Sequence, residues 1–138
     1  MEANTIIKNN FFELLTSIGF SITEDNKNLV CFKSDNVTIR FNYIPYEYVY
    51  IYFIKLNNCK TEYENFLVEE YLQIPNELSV AGDSQEDEFV KWMKHVLSYF
   101  EKFQNTLLIG DKDFYSKLHQ YYEIRQIEYN KKWYSARK

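Results

Sequence analysis

The chain has 138 residues, 46% of them apolar, 19% aromatic and 26% charged, which fits one folded domain with one core and lies far from the composition of disordered chains. Its formal net charge of −4, from 16 basic and 20 acidic side chains, disfavours nonspecific attraction to a phosphate backbone or an anionic membrane and more easily accommodates a basic partner. Three glycines and two prolines leave little material for long loops or for a glycine-rich phosphate cradle.

The charge is uneven: residues 1–79 hold 6 basic and 11 acidic side chains, 80–109 hold 3 and 5, and 110–138 hold 7 and 4. Only the C-terminal end is basic. Cys31 and Cys59 do not make a disulfide framework, and each sits in or beside an apolar segment where a reduced thiol behaves as a small hydrophobe. The start, MEANTIIKNNFFELL, has no basic n-region, no uninterrupted apolar stretch and no small-residue cleavage site, and no apolar run approaches the length of a membrane span. The expectation is a reduced, cytoplasmic protein that does not enter a membrane.

In chain order, Ile7, Phe11, Leu14, Leu15 and Ile18 share one helical stripe, which predicts a packed helix over 1–18, and Gly19 follows as a left-handed cap. FSITED starts a strand, NKN is a turn, LVCFK over 29–33 is a short apolar strand and SDN over 34–36 is a second turn. In VTIRFNY, Val37, Ile39, Phe41 and Tyr43 alternate with Thr38, Arg40 and Asn42. Ile44-Pro45 breaks the ladder, and a fourth strand is expected from about Glu47 to Leu56, with Val49, Ile51 and Phe53 on one face and Tyr48, Tyr50, Tyr52 and Ile54 on the other.

NNCK closes the sheet, placed over 20–56. Thr61 and Glu64 have capping-box spacing, and Tyr63, Phe66, Leu67 and Tyr71 continue at helical spacing to Pro75. Ser84 is positioned to cap a long helix from Glu86 to about Ile109, with Glu86, Asp87 and Glu88 in the first turn, where the helix dipole favours negative charge. After Gly110, Asp111 caps a last helix, and KKWYSARK over 131–138 reads as a basic, fraying tail. The predicted fold is α+β in a single domain, 1–138: an N-terminal helix, a three- to four-stranded antiparallel meander, and three helices over 61–130 packed on the sheet.

Motifs for chemistry are missing from the sequence. A nucleophilic triad needs a base, and only His95 and His119 are available, each beside apolar helix positions and without a nucleophile elbow. No C-x-x-C, H-x-x-x-H or H-E-x-x-H spacing points to a metal. Glu69-Glu70 and Glu86-Asp87-Glu88 are ordinary on helix surfaces and first turns. The expectation is a non-enzymatic protein without metal or cofactor.

Tyr46, Tyr48, Tyr50 and Tyr52 occupy every second position of YEYVYIYFIK. If Val30, Phe32, Val37, Ile39, Phe41, Val49, Ile51 and Phe53 face the helices, pairing geometry sends these tyrosines, with Arg40, Leu29, Cys31 and Lys33, to the opposite face. Tyr and Arg dominate binding hot spots because they combine large rigid contact area with a polar tip. The candidate partner-binding residues are therefore Arg40, Tyr46, Tyr48, Tyr50 and Tyr52. The competing explanation is a second core layer beneath a folded-back final helix, with Tyr serving as a good strand former.

FFELLTSIGF followed by LVCFKSDNVTIRFNYIPYEYVYI resembles the helix, GF, strand, S-x-x-V-x-I hairpin and Y-E strand of small uncharacterised bacterial proteins, some of them immunity proteins of polymorphic or interbacterial toxin systems. The likeness spans roughly residues 11–53 and carries over no functional residue. It implies a small, acidic, cytoplasmic protein that neutralises a toxin by binding it, and the chain's acidic charge would steer association with a basic toxin domain. The alternative is a nucleic-acid or nucleotide-binding accessory protein that stacks bases on the tyrosine face and uses Lys131, Lys132, Trp133, Tyr134, Arg137 and Lys138.

Overall fold

A computed structural model describes residues 2–44, 49–56, 61–75 and 85–136, with the backbone alone for 85–87 and 133–136. The predicted positions of Pro45, Tyr46, Tyr48, Cys59, Ser84 and the last two residues lie outside it. The element order is α1 (Ala3–Ser17), β1 (Ser21–Asn26), β2 (Leu29–Lys33), β3 (Val37–Tyr43), β4 (Val49–Lys55), β5 (Glu62–Glu64), α2 (Asn65–Tyr71), α3 (Gln85–Lys102), a π-helical turn (Gln104–Leu108) and α4 (Lys112–Ala136). The five strands form one antiparallel meander in sequence order. The α+β class predicted from the order of elements is thus found, with one strand more than expected.

Helix α1 ends where the sequence placed its cap. Gly19 has φ +99°, its N–H donates to the Thr16 carbonyl at 3.3 Å and the Phe20 N–H donates to the Leu15 carbonyl at 2.9 Å, the pair of bonds that closes a helix with a left-handed residue. Two turns then set the register of the central hairpins. Asn28 takes the left-handed conformation (φ 62°) between β1 and β2, and the Ser34 hydroxyl accepts the Asn36 and Val37 N–H groups between β2 and β3 at 3.2 and 3.1 Å.

The core lies between one sheet face and the helices. Val30, Phe32, Val37, Ile39, Phe41, Val49, Ile51 and Phe53 are fully buried, as alternation predicted. Phe41 stands between Phe11 of α1 and Phe100 of α3, at ring separations of 4.9 and 6.4 Å, and Phe100 also meets Phe53 at 5.7 Å. Helix α4 adds Tyr115 and Leu118, and the Tyr115 ring lies 6.1 Å from that of Tyr63 in β5.

Two boundaries differ from the sequence prediction. Thr61 and Glu64 do not form a capping box, because Glu62–Glu64 pairs with β4 and α2 begins only at Asn65, without a side-chain cap from Glu64. Strand pairing there places the Tyr63 ring in the core, and that burial outweighs a local cap. The long third helix stops at Lys102 and widens into the π turn. The widening brings the consecutive Leu107 and Leu108 into the core together, and the Tyr115 hydroxyl donates to the Leu107 carbonyl at 2.7 Å. The chain then turns at Gly110, and Asp111 caps α4 by accepting the Phe114 N–H at 2.9 Å. Helix α4 runs on to Ala136, so the segment predicted as a tail is helical over its described part.

Gly19 and Gly110 separate two reasons for a glycine. Both have positive φ, but a Cβ at Gly19 would meet nothing within 4 Å, whereas one at Gly110 would lie 2.8 Å from Val37 Cγ2 and 2.9 Å from Asn36 Cβ. Gly19→Ala is expected to cost about 1 kcal/mol from backbone strain alone. Gly110→Ala should cost about 2–4 kcal/mol, because the fully buried Val37 cannot move aside freely. Urea unfolding of the two variants checks the order, and equal losses would show that the contact with β3 is unimportant.

Candidate functional site on the outer face of the sheet

Because α1, α3 and α4 send their buried rings to the inner rows, the residues that alternate with the core make up the other face. The register aligns Glu24, Cys31, Arg40, Tyr52 and Glu64 in one row across all five strands. On one side of this row lie Lys33, Thr38, Ile54 and Glu62, and on the other Leu29, Asn42 and Tyr50. Tyr50, Tyr52, Arg40, Thr38, Asn42 and Ile54 are half-buried, and Lys33 and Glu62 are exposed. The described tyrosines are therefore not a second core layer. Tyr46 and Tyr48 lie outside the described residues.

Arg40 organises the centre of the face. Its guanidinium carbon lies 4.7 Å from the centroid of the Tyr52 ring, and Nη1 donates to Glu62 Oε1 at 2.7 Å. The cation–π contact and the ion pair hold a long side chain in one orientation, which lowers the entropy lost when a partner engages it. Burial, followed by the nearby Glu64 charge, pushes the Tyr52 phenol up, and burial also raises the Glu64 carboxyl. The Tyr52 hydroxyl is thus a neutral donor and acceptor. On the adjacent row, Phe66 of α2 meets the Tyr50 ring edge-on at 6.4 Å and 81°, bracing it from the sheet edge.

Cys31 departs from the expected picture of an open outer position, since it is only 5% exposed. It is a short side chain beside the longer Arg40 and Glu24 in its row, and burial raises its thiol above the usual range. Sequence reasoning also missed Glu62, Glu64 and Phe66, because TEYENF was assigned to a helix. The short Glu-Tyr-Glu alternation is the one local sign of a strand there.

Two polar clusters lie away from this face. Asn65, fully buried, accepts the Ile51 N–H at 3.1 Å and donates to Glu69 Oε2 at 3.1 Å. Glu69 also accepts the Tyr99 hydroxyl at 3.5 Å and has His95 Nε2 at 3.9 Å, an ion-pair distance outside hydrogen-bond reach. Burial raises the Glu69 carboxyl, while Asn65, His95 and Tyr99 act in the opposite direction. In the second cluster, His119 Nε2 lies 2.8 Å from Glu123 Oε1 and Nδ1 lies 2.7 Å from the Tyr63 hydroxyl. A carboxylate only accepts, so Nε2 carries a proton, and in the neutral imidazole Nδ1 then accepts from the Tyr63 phenol. Tyr63 is 1% exposed, which makes this chain of bonds a tie between β5 and α4 with its phenol shut off from solvent.

Among the described residues no group of three His, Cys, Asp or Glu side chains could hold a metal ion, and no helix is long and apolar enough to cross a membrane. No protein family, curated protein or solved structure matches the chain.

Proposed function

We propose that the outer face of the sheet is a protein-docking surface and that the chain is a non-enzymatic, immunity-type protein that neutralises a bacterial toxin by direct binding. The observation that carries this reading is the Arg40–Tyr52–Glu64 row with Tyr50 beside it, held half-exposed on the face opposite the helices. Its anchors stand on paired strands rather than loops, and Arg40 is preset by Tyr52 and Glu62. Glu24, Glu62 and Glu64 lie on the two edge strands, and with a net charge of −4 they favour encounter with a basic partner. The alternative, base stacking on the tyrosines, draws on the exposed Lys131 and Lys132 of α4. The Arg40–Glu62 pair counts against it, because a guanidinium held by a carboxylate is a poorer phosphate contact.

The test uses the product of the reading frame that neighbours this one. Calorimetric titration of wild type and Tyr50→Ala/Tyr52→Ala should show a loss of about 2–4 kcal/mol of binding free energy, with far-UV circular dichroism unchanged. Undiminished affinity in the folded double variant overturns the docking face. Binding to single-stranded RNA that weakens steeply with added salt would instead support the alternative.

A further inference from the structure

A cleft of about 430 Å³ opens between the end of α2, the π turn and the start of α4, lined by Tyr71, Leu72, Gln73, Phe103, Thr106 and Phe114. That volume falls within the roughly 300–1,000 Å³ of small-molecule sites. Tyr71, Leu72, Phe103 and Phe114 pack against the core on one side and remain half-buried, so the apolar wall is formed before any guest arrives. Tyr71 and Phe114 meet edge-on, 5.9 Å apart at 65°. A wall of angled rings suits a planar aromatic guest, which gains from stacked and edge-on contacts beyond area burial.

Two polar side chains stand in this wall, and packing explains neither. Gln73 has φ 57° at the position where α2 ends, its N–H donating to the Glu70 carbonyl at 3.1 Å. Glycine takes such a left-handed position without strain, as Gly19 does after α1, and a strained residue kept there suggests a use for its side chain. Thr106 is held by the π turn, a distortion frequent at functional sites. The Phe103 carbonyl accepts the Thr106 and Leu107 N–H groups at 3.2 and 2.9 Å and the Thr106 hydroxyl at 3.2 Å. With its proton used there, the hydroxyl offers the cleft only lone pairs. None of the lining residues is charged, and the Lys102 ammonium is engaged over the Phe103 ring at 5.4 Å. A charged guest would therefore lose water without gaining a counter-charge in the wall.

We propose that this cleft binds an uncharged, planar aromatic amide. The ring packs among Tyr71, Phe103 and Phe114, the Gln73 carboxamide exchanges a donor and an acceptor with the amide of the guest, and Thr106 Oγ1 accepts a further N–H. No lining residue belongs to the sheet, so the site does not depend on the docking role proposed above.

Titration of the full chain with benzamide, followed by nuclear magnetic resonance, tests the proposal. Saturable shifts should centre on the amides of Leu72, Gln73 and Thr106, with a Kd on the order of a millimolar. Benzoate and benzylammonium should bind at least about tenfold more weakly. Gln73→Gly relieves the left-handed strain, so its urea midpoint should equal or exceed that of wild type, yet its benzamide affinity should fall about three- to tenfold. Shifts that are absent or do not saturate at the lining residues overturn the proposal. So do equal affinities for benzamide and either charged analogue, or a Gln73→Gly variant that binds benzamide as wild type does.

Discussion

Phe41→Ala is expected to destabilise the protein by about 3–5 kcal/mol, a large share of the roughly 5–15 kcal/mol that holds a domain of this size together. The Phe41 ring lies within 4.9–6.4 Å of Phe11, Phe32 and Phe100, so its removal opens a cavity where α1, β2 and α3 meet. All four rings are fully buried, and surrounding side chains cannot collapse into the space without leaving their own contacts. The adjacent control on α1 is Phe12, which is exposed; Phe12→Ala should stay within about 0.5 kcal/mol of wild type. Urea unfolding midpoints with unchanged slopes would separate the two, and equal losses would contradict the placement of the core.

Asn65→Ala should cost about 2–4 kcal/mol, although it removes only a small polar side chain. Asn65 follows β5 directly and continues the pairing to β4 with its side chain, where the Oδ1 atom accepts the Ile51 N–H that a longer strand would have bonded. Without it a buried backbone donor is left unmade, and Glu69 loses the amide that stabilises its charge. Asn65→Asp separates these effects. It keeps an acceptor for Ile51 but sets a second carboxylate beside Glu69, whose own carboxyl burial already raises. Like charges at that distance favour proton uptake in the folded state, so the stability of Asn65→Asp should fall as pH rises above the ordinary carboxylate range. Unfolding measured from pH 4 to pH 7 checks the slope. A flat profile with wild-type stability would show that Asn65 does not link β4 to α2.

Both expectations concern residues that differed in how readable they were. Phe41 is visible in the alternation of VTIRFNY, because a strand with one buried face must repeat every two residues. Asn65 carries no such mark: its importance comes from Ile51, fourteen residues earlier, and from Glu69 one turn later. The capping-box spacing of Thr61 and Glu64 pointed to a helix for the same reason, since a local pattern contains no information about whether an edge of β4 is waiting to be paired. The π turn was hidden too, because Leu107 and Leu108 fit an ordinary helix until Tyr115 from α4 takes the Leu107 carbonyl.

The outer face shows the same division. The period-2 order of Tyr50 and Tyr52, and their separation from Val49, Ile51 and Phe53, follows from strand geometry and needs only the sequence. That Arg40 lies over Tyr52 and bonds to Glu62 needs the fifth strand, and that the described tyrosines are half-exposed needs α1, α3 and α4 to pack on the other side. Local periodicity therefore determined the α+β class, the first-helix cap, the central turns and the inner rows. Tertiary pairing decided β5, the break after Lys102, the polar link at Asn65 and the cleft beside the π turn, because each depends on contacts between segments far apart in the chain and on which of two burial options removes more apolar surface from water.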